Sequence, residues 1–98
     1  MLIRIVRMTF QPDKVGEFLE IFEGVKSKIR AFEGCEYLEL WQDADHPNIC
    51  LTHSHWTGKK DLENYRHSEL FKATWAKTKP MFADKPMAFS VNSVTKLP

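Results

Sequence analysis

Cysteine is scarce in this chain, with only Cys35 and Cys50 among 98 residues. Two thiols cannot build a disulfide framework, and their spacing matches no metal-binding pattern. Both are therefore read as reduced, buried side chains. An excess of one charge is also missing: 14 Lys plus Arg stand against 13 Asp plus Glu, a net charge of +1. Neither sign gathers into a block. Phosphate backbones are bound by a basic face, so nucleic acid is not an expected partner. Long apolar runs are absent too, none approaching the roughly 20 residues of a membrane span. In the opening MLIRIVRM, Arg4 and Arg7 interrupt the apolar stretch that a secretory leader needs. Membrane and export are thus unsupported, and the expected location is the cytoplasm.

What remains is the composition of an ordinary globular protein, 43% hydrophobic and 28% charged. Its length suits a single domain over residues 1–98. A chain this small buries only about 60–65% of its unfolded surface, and oligomerisation often makes good the shortfall.

Leu2 to Phe10 is β-branched and aromatic with apolar residues on both faces, which predicts a strand covered on both sides. Gln11-Pro12-Asp13 breaks it and starts a helix, with proline in the first turn and Asp13 complementing the N-terminus. Val15, Phe18, Phe22, Val25, Ile29 and Phe32 then recur every three or four residues, an amphipathic stripe that Gly34 closes. Glu36 to Gln42 is a second strand, and Asp43 to Pro47 is a polar turn. Asn48 to Trp56 is a third strand, forming a hairpin with the second. Lys59 to His67 reads as a short helix, and Ser68 starts a longer one with Phe71, Thr74 or Trp75, Thr78 and Phe82 on one side. Pro80 kinks or ends it, and Met87 to Thr95 is the final strand. The order βαββαβ is α+β and ferredoxin-like, a four-stranded antiparallel sheet with helices on one face. Apolar side chains on the uncovered face predict a homodimer packed sheet to sheet.

Most of the chemistry-bearing residues fall between Cys50 and Phe71. In the third strand Cys50, Thr52, Ser54 and Trp56 share one face, while Ile49, Leu51, His53 and His55 share the other. Trp56 offers a flat apolar face and one N–H donor, suited to stacking on a ring ligand or to anchoring a core. Thr52 and Ser54 beside it leave space and supply hydroxyls, for a ligand or for nearby backbone. His67, at the join of two helices, has an imidazole that can accept a phenolic proton or bind a metal, or simply cap a helix. Tyr65 lies two residues earlier, about 200° away on a continuous helix, so the two share a pocket only if the helix breaks between them. His67 is preferred. His53 and His55 have the spacing of a two-imidazole metal site but lack a third ligand in register, and lining a dimer interior is favoured. Arg4 and Arg7 are read as pairing with Glu36 or Glu39 in preference to holding an anionic substrate.

The strand ending in Trp56, the following helix with Tyr65, His67 and Ser68, and then Phe71 resemble the antibiotic biosynthesis monooxygenase family over about residues 2 to 95. The resemblance implies a dimeric α+β barrel with a pocket between sheet and helices in each subunit. Some family members oxidise aromatic quinols with molecular oxygen and no cofactor, the substrate anion itself supplying the electron. Others bind and degrade haem, using a helix histidine, the strand tryptophan and a first-strand asparagine. Here Trp56 matches the tryptophan and His67 lies near the histidine, but Val6 stands at the asparagine position.

The expected activity is therefore oxidation of a small phenol or quinol by O2 without metal or cofactor. Catalysis is assigned to His67 and Trp56, and substrate binding to Val6, Thr52, Ser54, Tyr65, Phe71 and Trp75. Haem binding and degradation is the first alternative, and a non-enzymatic binding module is the second.

Overall fold

A computed structural model describes residues 1–98. The elements are β1 (Leu2–Thr9), α1 (Val15–Arg30), β2 (Cys35–Gln42), β3 (Ile49–Trp56), α2 (Lys59–Arg66), α3 (Glu69–Thr78), a 3-10 turn (Lys79–Met81) and β4 (Met87–Val91). The strands form one antiparallel sheet in the order β2-β3-β1-β4, the ferredoxin-like arrangement expected from the element order. No helix is long and apolar enough to cross a membrane.

Several boundaries differ from expectation, among them the end of α1 at Arg30, where Ala31 and not Gly34 is the C-cap. β1 ends at Thr9, because Phe10 leaves the ladder for an isolated bridge to Phe82 and is fully buried there. α1 begins only at Val15. Gln11 to Lys14 first makes a turn, closed by the Lys14 amide on the Gln11 carbonyl, so Pro12 and Asp13 precede the helix. β4 stops at Val91, where its pairing with β1 runs out at Ile3.

The break between α2 and α3 follows from local hydrogen bonding. His67 is the C-cap of α2, and Ser68 is the N-cap of α3. The Ser68 hydroxyl accepts from the Phe71 amide at 3.1 Å, satisfying a first-turn donor, and donates to the Tyr65 carbonyl at 2.6 Å. Gly34, just before β2, lets α2 approach closely. Its φ is +90°, and a Cβ built there would lie 2.3 Å from the Asp61 Cβ, so α2 sits against bare backbone.

The register sets what each sheet face carries. Arg4 pairs with Ser54, Val6 with Thr52 and Met8 with Cys50 across β1 and β3, while Leu38 and Leu40 of β2 meet Ser54 and Thr52. These residues face the helices. Their packing forms two separate cores, one around Met8, Phe10, Phe18, Cys50 and Met81, the other around Cys35, Trp56 and Leu62. Both cysteines are free and buried, as expected.

The other sheet face has no cover. It displays Tyr37 and Trp41, each 39% exposed, beside Met87, Phe89 and Val91 of β4, with the two strand histidines in the middle. Only 11 of 98 residues are buried, so one layer of helices leaves much of the apolar surface wet.

Candidate functional site

Between the two cores lies a cavity of about 270 Å³. Met8 and Phe18 close it on the side of the first core, and Trp56 and Leu62 on the side of the second. Val6 and Thr52, paired across the sheet, form its floor, and Phe71, Thr74 and Trp75 of α3 form its wall.

Trp56 is 1% exposed, and its indole N–H donates to the Ser54 hydroxyl at 3.0 Å. That bond satisfies the only polar atom of the indole and fixes the ring against the sheet. Tyr65 stacks on Trp56 with centroids 4.9 Å apart and planes inclined by 26°. Phe71 meets Tyr65 edge-on at 5.3 Å, and Trp75 lies parallel to Phe71 at 5.7 Å. The four rings line one side of the cavity in contact order.

Burial pushes the Tyr65 phenol up to about 12. At neutral pH it is therefore a protonated donor and no base. Burial also raises the Cys35 and Cys50 thiols, so neither is a ready nucleophile. The only charged groups lining the cavity are Arg4 and Arg66, and no carboxylate or imidazole lines it.

All the residues assigned to substrate binding from sequence, Val6, Thr52, Ser54, Tyr65, Phe71 and Trp75, line this one cavity together with Trp56. His67 does not. Its side chain is 74% exposed, and its Nδ1 lies 2.8 Å from the Glu63 carbonyl at the end of α2. The expectation that His67 faces Trp56 is corrected on geometric grounds. Leu62 and Tyr65, three residues apart, share the inward side of α2, and the 200° separation then turns His67 to solvent.

The strand parity is as expected for the other two histidines. His53 and His55 stand on the open sheet face, their Nε2 atoms 2.9 Å apart, flanked by Tyr37 and Trp41. The Glu39 carboxylate lies 3.8 Å from the His53 Nδ1, which is buried and has no hydrogen-bond partner. No group of three His, Cys, Asp or Glu side chains is placed to hold a metal ion. The expected ion pairs of Arg4 and Arg7 with Glu36 or Glu39 do not form. Arg4 turns to the helix side while Glu39 stands on the open face, so Arg4 lines the cavity, the less favoured of its two expected roles, and Arg66 of α2 joins it there with no signal in the sequence.

The sequence profile of the family described as "Antibiotic biosynthesis monooxygenase" matches residues 1–77. A crystal structure of an antibiotic biosynthesis monooxygenase superposes with a TM-score of 0.91 at 17% identity, covering 97% of this chain and 100% of the other. A Nitrosomonas europaea protein carrying the same family name gives 0.90 at 16% identity, with 97% and 100% covered. A conserved protein of Methanosarcina mazei gives 0.86 at 21% identity, with 93% and 91% covered. At these identities the structures speak for the fold alone, and no curated protein matches the chain. The profile match spans most of the sequence, and the chain belongs to the antibiotic biosynthesis monooxygenase family.

Proposed function

We propose that the protein is a cofactor-independent monooxygenase that oxidises a small phenol or quinol with O2 in this cavity. The observation that carries the reading is the cavity itself: a partly open, ring-lined space whose mostly apolar lining includes two arginines and a few hydroxyls. Its volume of about 270 Å³ lies near the small end of ligand pockets, suiting a compact fused-ring molecule.

The chemistry needs little from the protein beyond placement and field. The ionised substrate passes one electron to O2, the radical pair recombines as a carbon-bound hydroperoxide, and loss of water leaves a carbonyl. One oxygen atom ends in the product and the other in water. The aromatic walls hold the ring in one orientation and exclude bulk water. Tyr65 and Thr52 are donors for the developing charge on substrate oxygens. Since no carboxylate or imidazole lines the cavity, the substrate proton leaves to water, favoured by the positive field of Arg4.

Haem does not fit this site. No histidine or cysteine lines the cavity, His67 faces solvent, and the space is small for a porphyrin.

The reading includes a homodimer. The open sheet face, with Tyr37, Trp41, Met87, Phe89 and Val91 exposed, is apolar enough to be covered by a second copy. The enzymatic reading is tested by following oxygen uptake with anthrone-type and hydroquinone substrates. Uptake above the buffer rate that Trp56→Ala abolishes is expected, and no uptake with any substrate of either class would refute it.

A further inference from the structure

Arg4, on β1, lines the cavity, with Ser54 beside it on β3 and Ser90 on β4. One of its guanidinium nitrogens, Nη1, donates to the Ser90 hydroxyl at 3.2 Å. A guanidinium carries five N–H donors, so most of its capacity is unused. None of the chain's ion pairs includes Arg4.

The surroundings leave this charge uncompensated. Arg66, the second arginine of the lining, is already held by Glu63 at 3.0 Å. No acidic residue lines the cavity, so the local sum over Arg4, Arg66 and Glu63 is one positive charge. Burial, and then the field of Arg66, push the Arg4 guanidinium below its ordinary range, while Glu63 partly offsets them. An arginine remains charged regardless. A half-buried cation with spare donors beside an apolar cavity is stabilised by an anion that brings its own apolar body.

We infer that Arg4 is the seat for an oxyanion, and that the ligand is an aromatic acid: a fused ring in the cavity with a carboxylate, or an ionised phenol oxygen, on the guanidinium. The inference rests on reading the cavity as a ligand site and adds the charge and the orientation of what enters it. The ring lies against Tyr65 and Trp56, and the charged edge points toward β1 and β4. A neutral ring loses the Arg4 contact, and a cationic one is repelled.

The test is equilibrium binding to the whole protein, followed by tryptophan fluorescence, with 2-naphthoate, 2-naphthol and 2-naphthylmethylamine. At about pH 7 naphthoate is an anion, naphthol is neutral and the amine is a cation. Naphthoate is expected to bind about ten-fold tighter than naphthol, in line with a charge-assisted hydrogen bond, and the amine is expected to bind weakest. Arg4→Gln should abolish that preference while changing naphthol affinity little. Arg66→Gln should change it less, because Glu63 already occupies that guanidinium.

Naphthol that tightens as pH rises through its own ionisation identifies a phenolate, as well as a carboxylate, as an acceptable anion. Equal affinity for naphthoate and naphthol in the unmodified protein overturns the inference, with no variant needed. An anion preference that survives Arg4→Gln overturns it as well. Oxygen plays no part in this measurement. Tight naphthoate binding with no oxygen uptake on any anthrone-type or hydroquinone substrate would refute the oxidation and leave the anion seat standing, whereas quinol-driven uptake by a protein that binds naphthoate no tighter than naphthol would do the reverse.

Discussion

Filling the cavity should stabilise the protein and silence it, and Thr52→Leu is the substitution that separates the two effects. Thr52 stands on the cavity floor opposite Val6. Leucine adds roughly 50 Å³ of side chain, which at about 24 cal/mol per Å³ of cavity filled is about 1 kcal/mol of stabilisation. The lower strand preference of leucine takes back a few tenths of a kcal/mol. For a chain of this length about 1 kcal/mol corresponds to a rise of about 4–8 °C in the melting temperature. The same side chain occupies about a fifth of the 270 Å³ and intrudes where a ring must lie flat. Naphthoate affinity and oxygen uptake should therefore fall at least about ten-fold. Calorimetry and fluorescence titration on one preparation decide the matter. A Thr52→Leu protein that melts lower would mean that the floor is already packed. One that melts higher but binds and oxidises unchanged would mean that the cavity is not the site.

Two further outcomes follow from the open sheet face. Phe89→Glu places a carboxylate among apolar side chains beside Ile5. It should convert the proposed dimer to monomers in sedimentation or light scattering while leaving the far-ultraviolet circular dichroism unchanged. His55 is held below its ordinary range by burial first, then by the positive field of His53. The unfolded chain therefore takes up a proton more readily than the folded one, so stability is present above about pH 6.5 and is lost as pH falls below it. His55→Gln should flatten the dependence of melting temperature on pH across that interval.

Much of this arrangement was legible because it is periodic. Strand parity alone placed Thr52, Ser54 and Trp56 together and sent His53 and His55 to the opposite face, as the β1–β3 register shows. The element order gave the sheet topology. Imidazole chemistry points to His67, but the helix that carries both residues turns Tyr65 inward and His67 to solvent. The usable signal was Leu62, the one clearly apolar residue of α2, which marks the inward side and takes Tyr65 with it three residues on. Arg4 was opaque for another reason. Its role depends on Ser54, Ser90 and α2 meeting it across distant stretches of chain, and no local pattern encodes that pairing.

The division of the interior into two cores ties occupancy to endurance. A ring between Met8 and Phe18 on one side and Trp56 and Leu62 on the other joins two hydrophobic clusters that the chain leaves apart. The guest becomes a removable piece of the protein's own core, and by mass action a ligand at about 100 times its dissociation constant adds about 2.7 kcal/mol against unfolding. Heat resistance then reports which molecule belongs inside, so a panel of compounds ranked by the shift in melting temperature reads out the substrate before any reaction is assayed.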